Sequence, residues 1–315
     1  MKNISVIGAA SGWGAKIRET ANGPDSLIES GILDKMAKAG VNAEVTAMVY
    51  AAKGEDGLKP ADALHLVADH ANRLAKAVAG AIGQNTLPLV IGGDHAIAAG
   101  TWSGVTTALQ AEGNFGLIWV DAHMDAHVPE TSPSGAYHGM PVASLMGYGV
   151  DDMRHILSDK AKISPAHVAM IGMRSYEEGE KALLEKLGVH VFYMDDVRAQ
   201  GFEAVWQQAL DIVTEGTVGF GVSIDLDAFD PLEAPGVGSP EAGGLSFDEV
   251  ASSLKGLATH DHIKAIEMTE FNPNRDQGTK TANLATNLLL SFFQQTGRVA
   301  HDKQNNPKGR RLLCA

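Results

Sequence analysis

Cysteine is nearly absent from this chain of 315 residues: Cys314, beside the C-terminus, is the only one. No internal disulfide can form, a cysteine nucleophile or cysteine-based metal site is disfavoured, and a reducing compartment is expected. Positive charge is also short, with 25 Lys and Arg against 38 Asp and Glu and a net charge of −13, which argues against nucleic acid or an anionic membrane as the main partner. No apolar run approaches the ~18 residues of a membrane span. The opening "MKNISVIGAA" lacks the apolar length of a signal peptide and reads as a first strand, so the expected location is the cytoplasm. Pro/Ser-rich linkers, low-complexity tracts and repeats are missing too. The expectation is one domain over residues 1–300, followed by a polar, basic tail over 301–315.

What the chain does contain is a series of short, β-branched apolar runs. They are "ISVIGA" (4–9), "AEVTAMV" (43–49), "LPLVIGG" (87–93), "FGLIWV" (115–120), "HVAMIGM" (167–173), "VHVFYM" (189–194), "VGFGVSI" (218–224) and "IKAIEM" (263–268). Most are apolar at consecutive positions, the pattern of strands buried on both faces. Longer segments with helical spacing lie between them, such as 61–82 and 281–293. Strand and helix alternating in this way predict an α/β fold, a parallel sheet covered by helices. The segment "KGEDGLKP" (53–60) reads as a charged surface loop.

Polar residues foreign to such a core recur at one place in the repeat. His95 follows the third run, Asp121 to His127 the fourth, Arg174 to Glu177 the fifth, Asp225 and Asp227 the seventh, and Glu270 the eighth. These are the carboxyl ends of strands, where parallel sheets carry their sites. If the strand geometry continues, positions i, i+2 and i+4 point the same way, so Asp121, His123 and Asp125 converge, as do Asp225 and Asp227. With His95 they make two imidazoles and four carboxylates, too many for one ion and enough for two. Packed without cations, four carboxylates would repel and raise one another's pKa. Oxygen ligands with some imidazole suit Mn²⁺, with Fe²⁺, Co²⁺, Ni²⁺ or Zn²⁺ as alternatives. A metal pair can lower the pKa of water and present hydroxide at neutral pH.

Plainer readings exist for single residues. A lone Asp-x-His or Asp-x-Asp is usually a solvated turn; three such elements, each behind an apolar run, are not explained that way. His138 could be an ordinary loop residue, Glu270 a structural acid, and Glu177 and Glu180 first-turn helix acids favoured by the dipole. His65, His70 and His260 have no partner pattern and are expected at the surface.

The blocks "GGDHAIAAG", "WVDAHMDAH", "TSPSGAYHGMP", "SIDLDAFDP" and "TEFNP", in that order, resemble the signature blocks of the arginase (ureohydrolase) family, and "ANGPDSLIESGIL" resembles its early Gly-Pro helix start. The likeness runs from about residue 4 to 296. It implies a three-layer α/β/α domain with an eight-stranded parallel sheet, and a pair of Mn²⁺ ions. The first ion's ligands map to His95, Asp121, Asp125 and Asp225, and the second's to His123, Asp121, Asp225 and Asp227, so Asp121 and Asp225 bridge. It also implies hydrolysis of a guanidino compound to urea and an amine, with Glu270 beside the cationic guanidinium and His138 as proton shuttle. A homotrimer or homohexamer follows from the same resemblance.

Within the family, "ETSPSGAYHGMP" is most similar to bacterial arginases, which implies L-arginine as substrate. Ser134 and Glu177 match positions that hold the amino-acid end, with Ser132, His127 and Glu180 nearby. Family arginases usually carry asparagine where this chain has His127 and Ala136. Three rivals remain. The first is a hydrolase of 4-guanidinobutyrate or agmatine. The second is a mononuclear Zn²⁺ deacetylase of related fold, against which the Asp225/Asp227 pair and the His95 block speak. The third is a silent regulatory homologue, whose expected mark, a lost ligand or shuttle histidine, is missing.

Overall fold

In a computed structural model that describes residues 3–110 and 112–294, each of the eight apolar runs forms a strand. They are β1 (Ile4–Ala10), β2 (Ala43–Tyr50), β3 (Leu87–Gly92), β4 (Gly116–Val120), β5 (Val168–Met173), β6 (His190–Tyr193), β7 (Phe220–Asp225) and β8 (Ile263–Thr269). All pair in parallel, in the order β2-β1-β3-β8-β7-β4-β5-β6. The expected tail over 301–315 and Cys314 lie outside the described residues.

The unbroken apolar runs are explained by two cores, one on each face of the sheet. In β4, Ile118 and Val120 join one core while Leu117 and Trp119 join the other. Alternate side chains of a strand point to opposite faces, and here both faces are covered. Leu27, Val205 and Leu288 bring helices Gly23–Glu29, Phe202–Thr214 and Lys280–Phe293 to the first face. Leu74, Trp102 and Leu184 bring helices Leu64–Gly83, Ala98–Leu109 and Glu178–Leu187 to the second. The α/β/α layering is therefore present. The two edge strands depart from the buried pattern: Glu44, Val45 and Thr46 of β2 are exposed, and in β6 His190 is exposed and the other three residues are half-buried. Lys53, Glu55, Asp56 and Lys59 of the charged loop are exposed as expected.

One histidine expected at the surface is not there. His65 and His260 are exposed, but His70 is buried, and its Nε2 lies 2.9 Å from the Val49 carbonyl. Its place in the helix explains the difference: Val67, His70, Ala71, Leu74 and Val78 fall on one buried stripe at helical spacing. Burial disfavours its charged form and brings its pKa down to about 4.

Candidate functional site

The strand order places the carboxyl ends of β3, β8, β7 and β4 side by side. β3 leads into Gly93, where a Cβ would run into the Ser11 carbonyl, so only glycine allows the backbone to pass this closely. The next residue, Asp94, caps the turn His95–Ile97 by accepting from Ala96 N at 3.0 Å and holds a neighbouring loop by accepting from Gly14 N at 3.0 Å. His95 is thereby aimed inward, its ring stacked on Trp119 with centroids 4.0 Å apart. β7 ends at Asp225, which accepts from Asp227 N at 2.7 Å and so starts the turn Leu226–Ala228. β8 ends at Thr269, and Glu270 takes a left-handed φ of +64° while its N–H donates to the Gly93 carbonyl at 2.8 Å.

The comb expected of Asp121, His123 and Asp125 forms in part by strand spacing. β4 stops at Val120, but parallel pairing with the chain after β5 resumes at a bridge between His123 and Ser175, so Asp121 and His123 keep the two-residue spacing. Asp125 lies beyond it, in loop, at a left-handed φ of +47°. Left-handed backbone at two non-glycine residues, Asp125 and Glu270, is a local cost that the surrounding contacts must offset.

The six candidate ligands do come together. His95 Nδ1 lies 3.0 Å from Asp121 Oδ2, 3.2 Å from Asp125 Oδ2 and 2.9 Å from Asp225 Oδ2. His123 Nδ1 lies 3.2 Å from Asp227 Oδ2 and 3.5 Å from Asp121 Oδ1. His95, Asp121 and Asp225 form one group with donor atoms within 4.8 Å of one another, and Asp121, His123 and Asp227 form a second, so Asp121 is common to both. Trp119 Nε1 donates to Asp121 Oδ2 at 2.9 Å and His123 N to its Oδ1 at 2.7 Å.

The charge of this array calls for cations. Burial would raise the Asp121 carboxyl, but His123 and His95 beside it outweigh that and hold it below its ordinary value. Burial and then the Asp121 charge push Asp225 up to about 6, and burial followed by Asp225 pushes Asp227 well up. Its acids cannot all ionise side by side. The second sign is His95 Nδ1, a buried ring nitrogen that faces three carboxylate oxygens and makes a well-angled hydrogen bond to none. A nitrogen can carry one proton at most, whereas a divalent ion can satisfy the nitrogen and the oxygens together. The donor set fits metal.

Above the cradle is a cavity of about 290 Å³ lined by Asp125, His127, Ser132, Ser134, His138, Glu177 and Glu180 among others. A second of about 290 Å³ shares Lys16, Ser134, His138 and Ser239 with it and reaches Glu270. Glu270 Oε1 accepts from His95 N at 2.9 Å and faces His138 Nδ1 at 3.2 Å. Its Oε2 is buried without a hydrogen-bond partner. Burial would lower the His138 pKa, but the Glu270 carboxylate raises it to about 9. Ser132 and Ser134 line the cavity while their hydroxyls accept from Gly135 N at 3.0 Å and Ala136 N at 3.2 Å.

Glu177 and Glu180 prove to be both helix-cap and pocket residues. They make a capping box at the start of Glu178–Leu187, with Glu177 as N-cap. Glu180 also accepts from Ala126 N at 3.2 Å, and burial raises its pKa to about 8. His127 is tied into the same group, with Nδ1 3.0 Å from Thr131 Oγ1 and Nε2 2.9 Å from Glu177 Oε2. Both of its ring nitrogens are thus engaged within the protein.

Several site residues carried no motif in the sequence. Lys16 and Ser239 reach the cavity from segments more than two hundred positions apart, and nothing local marks either. Glu267 did leave a signal, a charge inside the apolar run "IKAIEM". It is buried beside Ser223 in register, accepting from Ser223 Oγ at 2.7 Å and Trp102 Nε1 at 3.1 Å, and Ser223 Oγ lies 2.9 Å from His95 Nε2. Arg174, from the end of β5, braces the second metal group by donating to the carbonyls of Asp227 at 2.8 Å and Glu241 at 2.9 Å.

Known proteins share this fold over nearly the whole chain. The arginase family model matches residues 2–294. An arginase from Bacillus caldovelox is 36% identical over 297 residues, covering 93% of this chain and 98% of that protein. The crystal structure of arginase from Bacillus subtilis superposes with a TM-score of 0.86 at 33% identity, covering 94% of this chain and 99% of the other. The arginase of Entamoeba histolytica, solved in complex with L-ornithine, has a TM-score of 0.86 at 26% identity, over 93% and 98% of the two chains. A match of this extent, on a site whose acids and imidazoles are gathered for metal, identifies the chain as a member of the arginase family of hydrolases, enzymes that cleave C–N bonds of linear amidines.

Proposed function

We propose that the protein hydrolyses L-arginine to L-ornithine and urea with two divalent ions, Mn²⁺ foremost. The observation that carries this reading is a pair of metal-ready groups sharing Asp121, directly beneath a cavity that presents His138 and adjoins a second that reaches Glu270. His95, Asp121, Asp125 and Asp225 would hold one ion, and His123, Asp121, Asp225 and Asp227 the other. When bound, the ions neutralise the crowded acids and make a water acidic enough to serve as nucleophile at neutral pH.

The chain's own residues do the rest. The unpaired buried Oε2 of Glu270 accepts a guanidinium N–H and holds the cationic group over the cradle. Water's oxygen bonds to the guanidino carbon, the bond to the alkyl nitrogen breaks, and urea and an amine result. The departing nitrogen needs a proton. His138, whose proton is favoured by the adjacent Glu270 carboxylate, sits against Glu270 to deliver it. Glu177 and Glu180 line the outer end of the cavity and present carboxyl oxygens that accept from the ammonium of an amino acid.

The ornithine held by the Entamoeba histolytica arginase supports an amino-acid substrate, because ornithine is the amine that L-arginine would release. 4-Guanidinobutyrate and agmatine are the alternatives, since Ala136 has no side-chain donor and His127 spends both nitrogens on Thr131 and Glu177. A urea-release screen of Mn²⁺-loaded protein across these three compounds, with metal analysis, tests the reading. Arginine as best substrate with two ions per chain supports it; no urea from any of them overturns it. The single cysteine fits a reducing, cytoplasmic setting, and no helix among the described residues is long and apolar enough to cross a membrane. Family resemblance favours a homotrimer or homohexamer, which sedimentation would check against the 33.1 kDa chain.

A further inference from the structure

We propose that Lys16 is the specificity-determining residue of the pocket, the cation that receives the carboxylate of a guanidino acid; this rests on the guanidino-hydrolase reading above. Besides the acids that the two ions would neutralise, the cavity walls carry further carboxyl groups, Glu177 and Glu180 in one compartment and Glu270 in the other. An anionic end would be repelled there unless a positive group faced it. Among the described residues, Lys16 is the only lysine or arginine that lines either compartment, and it lines both. It is exposed and takes part in no ion pair or side-chain hydrogen bond with another described residue, so its ammonium is uncommitted.

The other candidates for the role are spent. His127 has one ring nitrogen on Thr131 and the other on Glu177, so its donor capacity is turned toward protein. Ala136 is buried and has no side-chain donor. Ser134 and Ser239 stand beside Lys16 on the shared wall and can add neutral hydrogen bonds, without charge. Lys16 lies two residues after Gly14, whose N–H is fixed by Asp94 and whose carbonyl accepts from His138 N at 3.1 Å. The backbone that carries the ammonium is thus joined to the proton-shuttle candidate, while the long stem lets the charge follow the ligand.

The test compares substrates that differ in the carboxylate. With Mn²⁺-loaded protein, Lys16→Ala is expected to raise KM for L-arginine and 4-guanidinobutyrate about three- to tenfold, the range for an exposed to partly desolvated charge pair. KM for agmatine, which has no carboxylate, is expected to fall. Lys16→Glu should enlarge both changes, and Lys16→Arg should restore the original preference. A second readout is independent of turnover: calorimetric affinity for L-ornithine should drop in Lys16→Ala while affinity for putrescine rises. Equal shifts for both ligand classes, or none, overturn the proposal and leave Lys16 a solvated surface residue. Failure of the function reading looks different, because the unaltered protein would then release no urea from any guanidino compound.

Discussion

The floor of the pocket and its rim are built by different means. The floor stands on the ends of β3, β4, β7 and β8, and its acids are almost wholly buried: Asp121 is 0% exposed, and Asp225 and Asp227 are 2% exposed. Several floor residues are held by a contact from outside the ligand set, such as Trp119 on Asp121 or Ser223 on His95. The rim is assembled from loops around residues 16, 127–138, 177 and 239, and Lys16 and Glu177 are exposed. The floor sets what kind of reaction is possible, and it tolerates little change because its charges are interdependent. In the proposed reading the rim chooses what enters, and its residues lie outside the strands of the sheet.

The sharpest way to break this contrast is to substitute one acid of the floor. Asp121→Asn or Asp225→Asn is expected to abolish activity, by about 10³-fold or more, and to lower metal content. Metal analysis beside kinetics checks it. Full activity with one ion per chain would end the two-ion reading. His138→Ala tests a residue between floor and rim: turnover should fall ~10²–10⁴-fold with metal content intact, and added imidazole should restore part of the rate. Metal loss in this variant would make His138 part of the floor instead.

A histidine that belongs to neither region sharpens what acid neighbours do. His138 faces Glu270 and is raised, whereas His70 faces only a carbonyl and has a pKa of about 4. A pKa lower in the folded than in the unfolded state makes the unfolded state bind more protons, so stability is full above the unfolded value near 6.5 and is lost as pH falls toward about 4. The loss amounts to about 3 kcal/mol over that window. Chemical denaturation of the metal-free protein at a series of pH values should therefore show a shallower acid limb in His70→Gln than in the parent. The smallest effect belongs to the rim. Glu180→Ala removes one arm of the capping box and leaves Ala126 N without its acceptor, which should cost about 1–2 kcal/mol while metal content is unchanged. Thermal unfolding with metal analysis reads both.

How much of this was visible in the sequence follows the same division. Alternation of buried side chains on a two-faced sheet makes the runs apolar without interruption, so all eight strands stood out, and the acids just beyond them marked the active edge. The convergence of Asp121, His123 and Asp125 was anticipated from strand geometry, which holds as far as the bridge at His123, whereas Asp125 takes its place from loop backbone at φ +47°. His70 was misplaced because its polarity outweighed its position on the buried helix stripe. The second function of Glu180, on Ala126 N, depends on a helix start meeting the loop beyond β4 and had no local mark.

By itself, then, the order of apolar runs and polar insertions determined the layered parallel sheet, its functional edge and the metal-ready acids, because secondary-structure periodicity and burial are written residue by residue. Tertiary structure alone decided the partners. It set His127 against Glu177 and Thr131, ran Ser223 and Glu267 beneath His95, and brought Lys16 to a wall shared with Ser239. Such pairings depend on distances between segments far apart in the chain, and those distances exist only once the sheet order and loop paths have closed.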